Sequence, residues 1–189
     1  VTKTFPIDVI KPLLKSGHIH FGENKVQEAV KKWENVKSTY KDIKLHFIGK
    51  LQSNKVKFAL PIFDYIHSLD NLKLAEKISS YQKKINFRPK IFIQVNIGNE
   101  VQKNGIDKND LKSFFNKFLN DFDLDIIGLM CIPPNDSNTE KYFKEMKKLS
   151  HDLSLKDLSM GMSEDYKIAI NNGSTYIRVG SKIFGPRSK

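Results

Sequence analysis

Two segments near the carboxyl end of the chain have the composition of phosphate-binding loops. Ser163 follows one β-forming run in "LSMGMSEDY", and Gly180 and Ser181 follow the next in "YIRVGSK". A serine hydroxyl and backbone N–H groups that a glycine leaves accessible can together donate several hydrogen bonds to one phosphate. Structural roles are the alternative, in which Ser163 only caps a helix that begins there and Gly180 only ends a strand.

A lysine, Lys3, ends the short β-like run at the start of the chain, "VTK". If this amine lies inside a ring of strands, desolvation lowers its pKa and makes the neutral, nucleophilic form accessible. Such a lysine can form a Schiff base with a carbonyl ligand. The chain contains 32 lysines and arginines, however, so one lysine near a strand end is also expected by chance.

Arginine is rare in this basic chain, where only Arg88, Arg178 and Arg187 occur. Arg178 stands between apolar β-forming residues in "YIRVG". A guanidinium stays protonated and can only donate hydrogen bonds. At a buried position, Arg178 therefore either pairs with a carboxylate or binds a ligand that accepts hydrogen bonds.

The elements that must position these residues alternate between β-like and helix-like segments. Apolar residues of the helix-like segments recur at helical spacing, as in Leu111, Phe114, Phe115, Phe118 and Leu119, which predicts one buried face. Eight alternating units predict a single-domain (β/α)8 barrel over residues 1–189, with an open doubly wound sheet as the alternative. The predicted strands are residues 1–3, 18–21, 45–49, 65–69, 90–97, 124–132, 156–161 and 175–180, and the predicted helices are residues 6–17, 24–40, 53–61, 71–84, 108–122, 139–153 and 163–173.

In such a barrel, the residues that follow each strand meet at one mouth, where ligands bind. Lys3 and the two phosphate-type loops are therefore expected to face one another. Residues typical of helix ends support the predicted helices. Gly17 and Gly173 follow the first and last of them, and Asp70 can cap another.

Composition limits the classes of partner. The net charge is +11, but the lysines are interleaved with acidic residues, so we expect a solvated surface rather than a nucleic-acid site. No apolar run approaches the roughly 20 residues of a membrane span. A single cysteine, Cys131, fits a reducing compartment and predicts a cytoplasmic protein. The chain begins without methionine, so further residues can precede Val1.

Seven segments together carry a specific resemblance: "VTKT", "HFGENKVQE", "LHFIGKLQSNK", "IFIQVNIGNEVQKNGI", "IIGLMCIPP", "LSMGMSEDYKIAI" and "GSTYIRVGSKIFGPR". In order and spacing they resemble the pyridoxal phosphate homeostasis protein family, of the YggS and PROSC type. The resemblance implies a barrel like the N-terminal domain of alanine racemase, which binds pyridoxal 5′-phosphate (PLP). Family members usually have one more helix ahead of the first strand, which we expect to be missing from this chain.

The resemblance also assigns roles to individual residues. It places the Schiff-base lysine at Lys3 and an arginine that faces the pyridine nitrogen at Arg178. The positions that bind phosphate correspond to Ser163, Gly180 and Ser181. The family pattern further places Asn24 and Met130 in the lining of the pocket, with Ile48 and Gln52 near it.

The implied function is PLP binding in intracellular PLP (vitamin B6) homeostasis, without robust catalysis. Arg178 supports this because a donor-only partner favours an unprotonated pyridine nitrogen, which makes the ring a poorer electron sink. We expect a monomer that holds PLP as a Schiff base, with PLP-dependent apoenzymes as possible acceptors. A small single-domain PLP-dependent amino-acid racemase is the alternative.

Four histidines allow a different interpretation. His18 and His20 form an H-x-H pair, and His46 and His67 lie on the next two predicted strands, as in metal-dependent hydrolase barrels. His46 lies early in its strand, away from the mouth, and no aspartate ends the last strand. We therefore expect no metal and histidines that hydrogen-bond within a partly polar wall.

Overall fold

The computed structural model describes residues 1–100 and 102–185, so Val101 and the last four residues, Arg187 among them, lie outside the described part. The strands are β1 (His20–Glu23), β2 (Lys44–Phe47), β3 (Tyr65–Leu69), β4 (Lys90–Asn96), β5 (Ile106–Asp107), β6 (Asp125–Cys131), β7 (Asp157–Met162) and β8 (Tyr176–Arg178). The helices are α1 (Ile7–Lys15), α2 (Val26–Thr39), α3 (Val56–Ala59), α4 (Leu72–Ile85), α5 (Leu111–Asp121), α6 (Thr139–Asp152), α7 (Tyr166–Asn171) and α8 (Ser181–Phe184), and a 3₁₀ turn (Ser53–Lys55) precedes α3.

The strands pair in parallel in the order β1-β2-β3-β4-β6-β7-β8, and β5 pairs only with the end of β4. Residues at the start of the chain connect the two edges. The Val1 nitrogen donates to the Val179 carbonyl at 2.6 Å, and the Thr2 N–H donates to the Gly22 carbonyl at 2.9 Å. This segment occupies the place of the predicted first strand, although it is too short to form a ladder. The (β/α)8 barrel is confirmed, and the open sheet is wrong.

Two apolar clusters fill the structure. The larger one lies between the sheet and the helices and includes the fully buried Trp33, Phe47 and Phe143. A smaller one, formed by Tyr65, Phe92 and Met130 with Tyr176 packed against it, fills the inside of the barrel. Strands with both faces covered are typical of parallel sheets, and this explains their nearly continuous apolar runs.

Helix α5 buries most of its predicted face. Leu111, Phe115 and Phe118 are buried, and Phe114 is partly buried. Leu119 is 63% exposed, so its predicted burial is wrong. At about 100° per residue, Leu119 falls at the edge of the apolar stripe.

Some element ends differ from the prediction. Helix α7 begins at Tyr166 rather than Ser163, because a turn separates it from β7, and Ser163 therefore does not cap it. The cap of α4 is Asn71 instead of Asp70, and its side chain accepts from the Leu74 N–H at 2.9 Å. The predicted helix stops are confirmed, since Gly17 and Gly173 have φ values of 83° and 90°.

Within the part of the chain that the structure describes, no helix has the length and apolar character needed to span a membrane.

Candidate functional site

A cavity of about 600 Å³ opens at the carboxyl ends of the strands. Small-molecule sites in proteins commonly measure about 300–1,000 Å³. Residues from both ends of the chain line this cavity, which agrees with the predicted barrel mouth. The predicted site residues in its lining are Lys3, Asn24, Ser163, Arg178, Gly180 and Ser181, and Ile48 is also part of it.

A tight turn presents Lys3 to the cavity. The Phe5 N–H donates to the Thr2 carbonyl at 3.2 Å, which closes a four-residue turn with Thr4 at its third position. Thr4 has a φ of 70°, in the left-handed region that glycine usually occupies and β-branched residues avoid. Such strain persists where the surroundings fix the backbone, and here the turn reverses the chain directly after Lys3.

A buried carboxylate fixes the segment that carries Lys3. Glu23, at the end of β1, is 1% exposed, and its Oε1 accepts from the Thr2 hydroxyl at 2.7 Å. The same oxygen accepts from Lys32 Nζ and from Trp33 Nε1, each at 2.9 Å. Lys32 also donates to the Thr2 carbonyl at 3.0 Å. The residue directly before Lys3 is thus held through both its side chain and its backbone.

A close backbone approach shapes the neighbouring wall of the cavity. A Cβ atom at Gly49 would lie 2.2 Å from the backbone oxygen of Asn24. Only glycine therefore allows the chain after β2 to pass beside Asn24. The Ile48 N–H donates to the Glu23 carbonyl at 2.8 Å, which holds the two strand ends together.

The loops that follow β7 and β8 contact each other at the cavity. The Gly180 N–H donates to Ser163 Oγ at 3.4 Å, a long hydrogen bond. Ser181 begins α8, so its N–H lacks a partner within that helix. The Asp165 carboxylate also lines the cavity, but it accepts from the Met162 N–H at 2.6 Å and so stabilises the turn that holds Ser163.

Arg178 is 8% exposed and borders the cavity from the inside of the barrel. Its Nη1 donates to Ser159 Oγ at 2.8 Å, and its Nη2 donates to the Cys131 carbonyl at 2.7 Å. Burial lowers the pKa of the Arg178 guanidinium below its usual value. Among the described residues, no carboxylate lies within ion-pair distance of Arg178, so the carboxylate pairing that the sequence allowed is absent there.

Of the residues assigned through the resemblance, Met130 lies away from the cavity lining, whereas Gln52 lies near the cavity as expected. Met130 is 1% exposed and packs inside the barrel against Phe92, and it does not reach the cavity surface. Gln52 borders a smaller cavity of about 200 Å³ beside the first. Conversely, Gln94 lines the main cavity and donates to the Asn104 carbonyl at 3.2 Å. Its position as a polar residue near the end of the mostly apolar strand β4 is the sequence signal for this role.

The histidines form hydrogen bonds with one another. His20 contacts His46 and His46 contacts His67, with nitrogen–nitrogen distances of 2.9 Å in both cases. Each of these bonds uses nitrogen atoms that a metal would need. Over residues 1–100 and 102–185, no group of three or more His, Cys, Asp or Glu side chains has a metal-binding arrangement.

Comparison with known proteins agrees with this geometry. The alanine racemase N-terminal domain family matches residues 6–188, which excludes Lys3. A pyridoxal phosphate homeostasis protein of Aquifex aeolicus is 39% identical over 98% of this chain and 85% of the relative. One of Synechocystis is 38% identical over 99% of this chain and 89% of the relative.

Solved structures give the same result. PipY of Synechococcus elongatus with PLP bound is 34% identical and superposes with a TM-score of 0.88 over 97% of this chain and 90% of PipY. An alanine racemase of Clostridium difficile has a TM-score of 0.75 at 14% identity over 97% of this chain and 49% of the racemase, which shows a shared fold. The chain therefore belongs to the alanine racemase N-terminal domain family and, within it, to the pyridoxal phosphate homeostasis proteins.

Proposed function

We propose that this protein binds PLP at the barrel mouth and acts in PLP homeostasis, holding the cofactor without robust catalysis. The observation that carries the proposal is the convergence of Lys3, Arg178 and the two phosphate-type loops on one cavity. The relatives named as pyridoxal phosphate homeostasis proteins and the PLP-bound structure of PipY support it. A cavity of about 600 Å³ is large enough for PLP.

The loops after β7 and β8 would hold the phosphate. Ser163 Oγ and the N–H groups of Gly180 and Ser181 supply donors at one edge of the cavity. Because the bond between Gly180 and Ser163 is long, both groups can turn toward an anion at small cost. Each charge-assisted hydrogen bond to a phosphate contributes roughly 1.5–3 kcal/mol.

Lys3 would hold the other end of the ligand. When bound, PLP supplies an aldehyde and an electron-withdrawing ring. Lys3 Nζ would hold this aldehyde carbon as a Schiff base, with one water lost for each bond formed. The link is reversible by hydrolysis, as a carrier requires. The Glu23 contacts that fix Thr2 keep Lys3 at the mouth.

Arg178 would face the pyridine nitrogen as a donor. Its two described hydrogen bonds leave further N–H groups of the guanidinium for the cavity side. A donor-only partner keeps that nitrogen unprotonated, which weakens the ring as an electron sink and favours holding PLP over turning over amino acids. The relatives are named as pyridoxal phosphate homeostasis proteins, which gives the racemase alternative less support.

We further propose that the protein acts as a cytoplasmic monomer and passes PLP to apoenzymes. A lone, buried cysteine is compatible with a reducing compartment. Mixing the PLP-loaded protein with a PLP-dependent apoenzyme tests the transfer. The loaded protein is expected to restore enzyme activity at a total PLP concentration at which free PLP does not. Sedimentation of the purified protein tests the monomer.

The central experiment is covalent mapping. PLP-loaded protein is expected to absorb as an imine, and borohydride reduction followed by peptide mapping is expected to place stoichiometric label on Lys3. Lys25→Ala is a matched control, because Lys25 is an exposed lysine beside the mouth that pairs with Glu28. This variant should retain the label on Lys3. A protein that takes up no PLP, or that carries the label on Lys50, would overturn the proposal.

A further inference from the structure

A line of side-chain hydrogen bonds crosses the inside of the barrel and ends on Arg178. The distances are 2.9 Å from His20 Nδ1 to His46 Nε2 and 2.9 Å from His46 Nδ1 to His67 Nε2. They are 2.8 Å from His67 Nδ1 to Ser159 Oγ and 2.8 Å from Arg178 Nη1 to the same oxygen. We call these five residues the histidine chain.

The histidine chain connects the two faces of the barrel. His20 begins β1 and is exposed at the amino-terminal face, whereas Arg178 ends β8 at the mouth. His46 and His67 are 6% and 1% exposed, and Ser159 is fully buried. The rings stack on aromatic neighbours, His46 on Tyr65 at 4.1 Å and His67 on Phe92 at 4.3 Å between centroids. Polar groups in such an apolar interior must hydrogen-bond to one another.

Arg178, the last residue of the histidine chain, sets the direction in which its hydrogen bonds are donated. Arg178 can only donate, so Ser159 Oγ accepts from it; because Ser159 is fully buried and His67 Nδ1 is its other described side-chain partner, the hydroxyl proton is satisfied by donation to His67 Nδ1. A neutral imidazole that accepts at Nδ1 carries its proton on Nε2. His67 therefore donates to His46, and by the same reasoning His46 donates to His20. Every donor in the chain points away from the cavity.

Burial keeps the interior of the chain uncharged. It lowers the pKa of His46 to about 3 and lowers the pKa of His67 well below its usual value. Both rings are then neutral at physiological pH, so each holds one donor and one acceptor. Neither nitrogen of either ring is available for another partner, and the order of donors is maintained along the chain.

We propose that His67 is a positioning residue for Arg178 that acts through Ser159, and that His46 fixes the His67 tautomer required for it. This inference rests on the proposed function, in which Arg178 faces the bound PLP. His67 holds the Ser159 proton, and this orients a lone pair of Ser159 Oγ toward Arg178 Nη1. With the Cys131 carbonyl holding Nη2, the guanidinium plane is fixed relative to the cavity.

The first test uses the ligand-free protein. Nitrogen-15 NMR of labelled histidines is expected to show the Nε2–H tautomer for His46 and His67. His151, whose side chain is 91% exposed, serves as the reference for an unconstrained ring. An Nδ1–H tautomer at His67 would reverse the donor order and overturn the proposal.

The second test compares three substitutions of His67. His67→Phe keeps the ring and its stacking but removes both nitrogens, His67→Gln offers polar atoms near the Nε2 position, and His67→Asn offers an acceptor near Nδ1, toward Ser159. We expect only His67→Asn to retain the wild-type absorbance maximum of bound PLP. The other two should bind PLP about two- to tenfold more weakly, as expected for one lost hydrogen bond. Identical behaviour of all three variants would refute a positioning role.

A readout on Arg178 itself separates this inference from the proposed function. The protein has three arginines, so the guanidinium signals of Arg178 can be assigned in ligand-free protein. Slowly exchanging Nη protons are expected in the wild type and in His67→Asn and are expected to be lost in His67→Gln. Equal exchange in His67→Asn and His67→Gln would contradict the inference even if PLP binds. Conversely, wild-type protein that takes up no PLP would remove the proposed function, and the NMR results would still decide the role of the chain.

His18→Gln is the matched control for all of these measurements. His18 is exposed on the same face as His20, and the described contacts of its ring are with the backbone oxygen of His20 at 2.7 Å and with the edge of Phe21. It contributes nothing to the line of side chains that reaches Arg178. Wild-type tautomers and wild-type PLP absorbance are therefore expected. A spectral shift in His18→Gln as large as that in His67→Gln would show that the readout is not specific to the chain.

Discussion

Acidification provides a quantitative prediction for the two buried histidines of the chain. In the folded protein the pKa of His46 is lowered to about 3 and that of His67 lies well below its usual value, both because of burial. In the unfolded chain both side chains titrate near a pKa of about 6.5. Below that pH the unfolded state binds more protons than the folded state, so the free energy of unfolding falls as the pH is lowered.

For His46 the magnitude follows from the reference pKa, because a folded pKa of about 3 keeps this ring neutral in the folded state at pH 5. Between about pH 7 and pH 5, His46 is expected to reduce the free energy of unfolding by about 2 kcal/mol, and the lowered pKa of His67 acts in the same direction. The loss from His46 continues until the pH falls through its folded pKa of about 3. The contribution is thus present above pH 6.5 and lost below it.

Urea unfolding at the two pH values measures this effect. Carboxylates also contribute to the slope, so the informative quantity is the difference between variants. His67→Phe removes one of the two rings and should therefore lose less stability than the wild type between pH 7 and pH 5. His151→Ala, at an exposed position, should behave like the wild type. An unchanged pH dependence in His67→Phe would refute the assignment of His67 as a buried, neutral ring.

Three further predictions concern the mouth of the barrel. Glu23→Gln should cost about 3 kcal/mol of stability, because it leaves Lys32 partly buried without its counter-charge, whereas Glu28→Gln on the surface should cost less than about 1 kcal/mol; urea unfolding measures both. Thr4→Gly should raise the free energy of unfolding by about 0.5–1 kcal/mol by relieving the positive φ, and Thr4→Ala should not, so equal stability of the two variants would contradict the strain. Pyridoxal without its phosphate should bind at least about tenfold more weakly than PLP in a titration, and equal affinities would show that the loops after β7 and β8 do not hold the phosphate.

Much of the fold was accessible from the sequence because its signals are local. The apolar runs at Tyr65–Leu69 and Lys90–Asn96 coincide with predicted strands, and the helical spacing around Phe115 predicted α5. The elements that the sequence did not reveal are short or depend on contacts between residues that are far apart in the sequence. Strand β5 has two residues and α8 has four, too few for a periodic pattern. Helix α7 begins late because a turn after β7, held by Asp165, precedes it.

The candidate site was predictable to the extent that it follows from strand ends. Lys3, Ser163 and Arg178 each stand at or near the end of a predicted strand, so barrel geometry alone predicted that they would meet. The resemblance placed Met130 in the lining, but its side chain packs below the cavity among aromatic residues. The contacts of Ser159 depend on which residues face inward across the barrel, which spacing along one strand cannot show.

The closure of the barrel has a mechanical consequence. Val1 and Thr2 join β8 to β1 through one described backbone hydrogen bond on each side, whereas β4 and β6 are paired along almost their whole length. The barrel is therefore closed by few backbone hydrogen bonds between β8 and β1, and this closure lies at the cavity. A molecule bonded to Lys3 and hydrogen-bonded to Gly180 would link the two sides of this closure. Binding of PLP should then slow hydrogen exchange of the Thr2 amide far more than exchange of the amides in β4. The exchange rate of the Thr2 amide would therefore report whether PLP is bound.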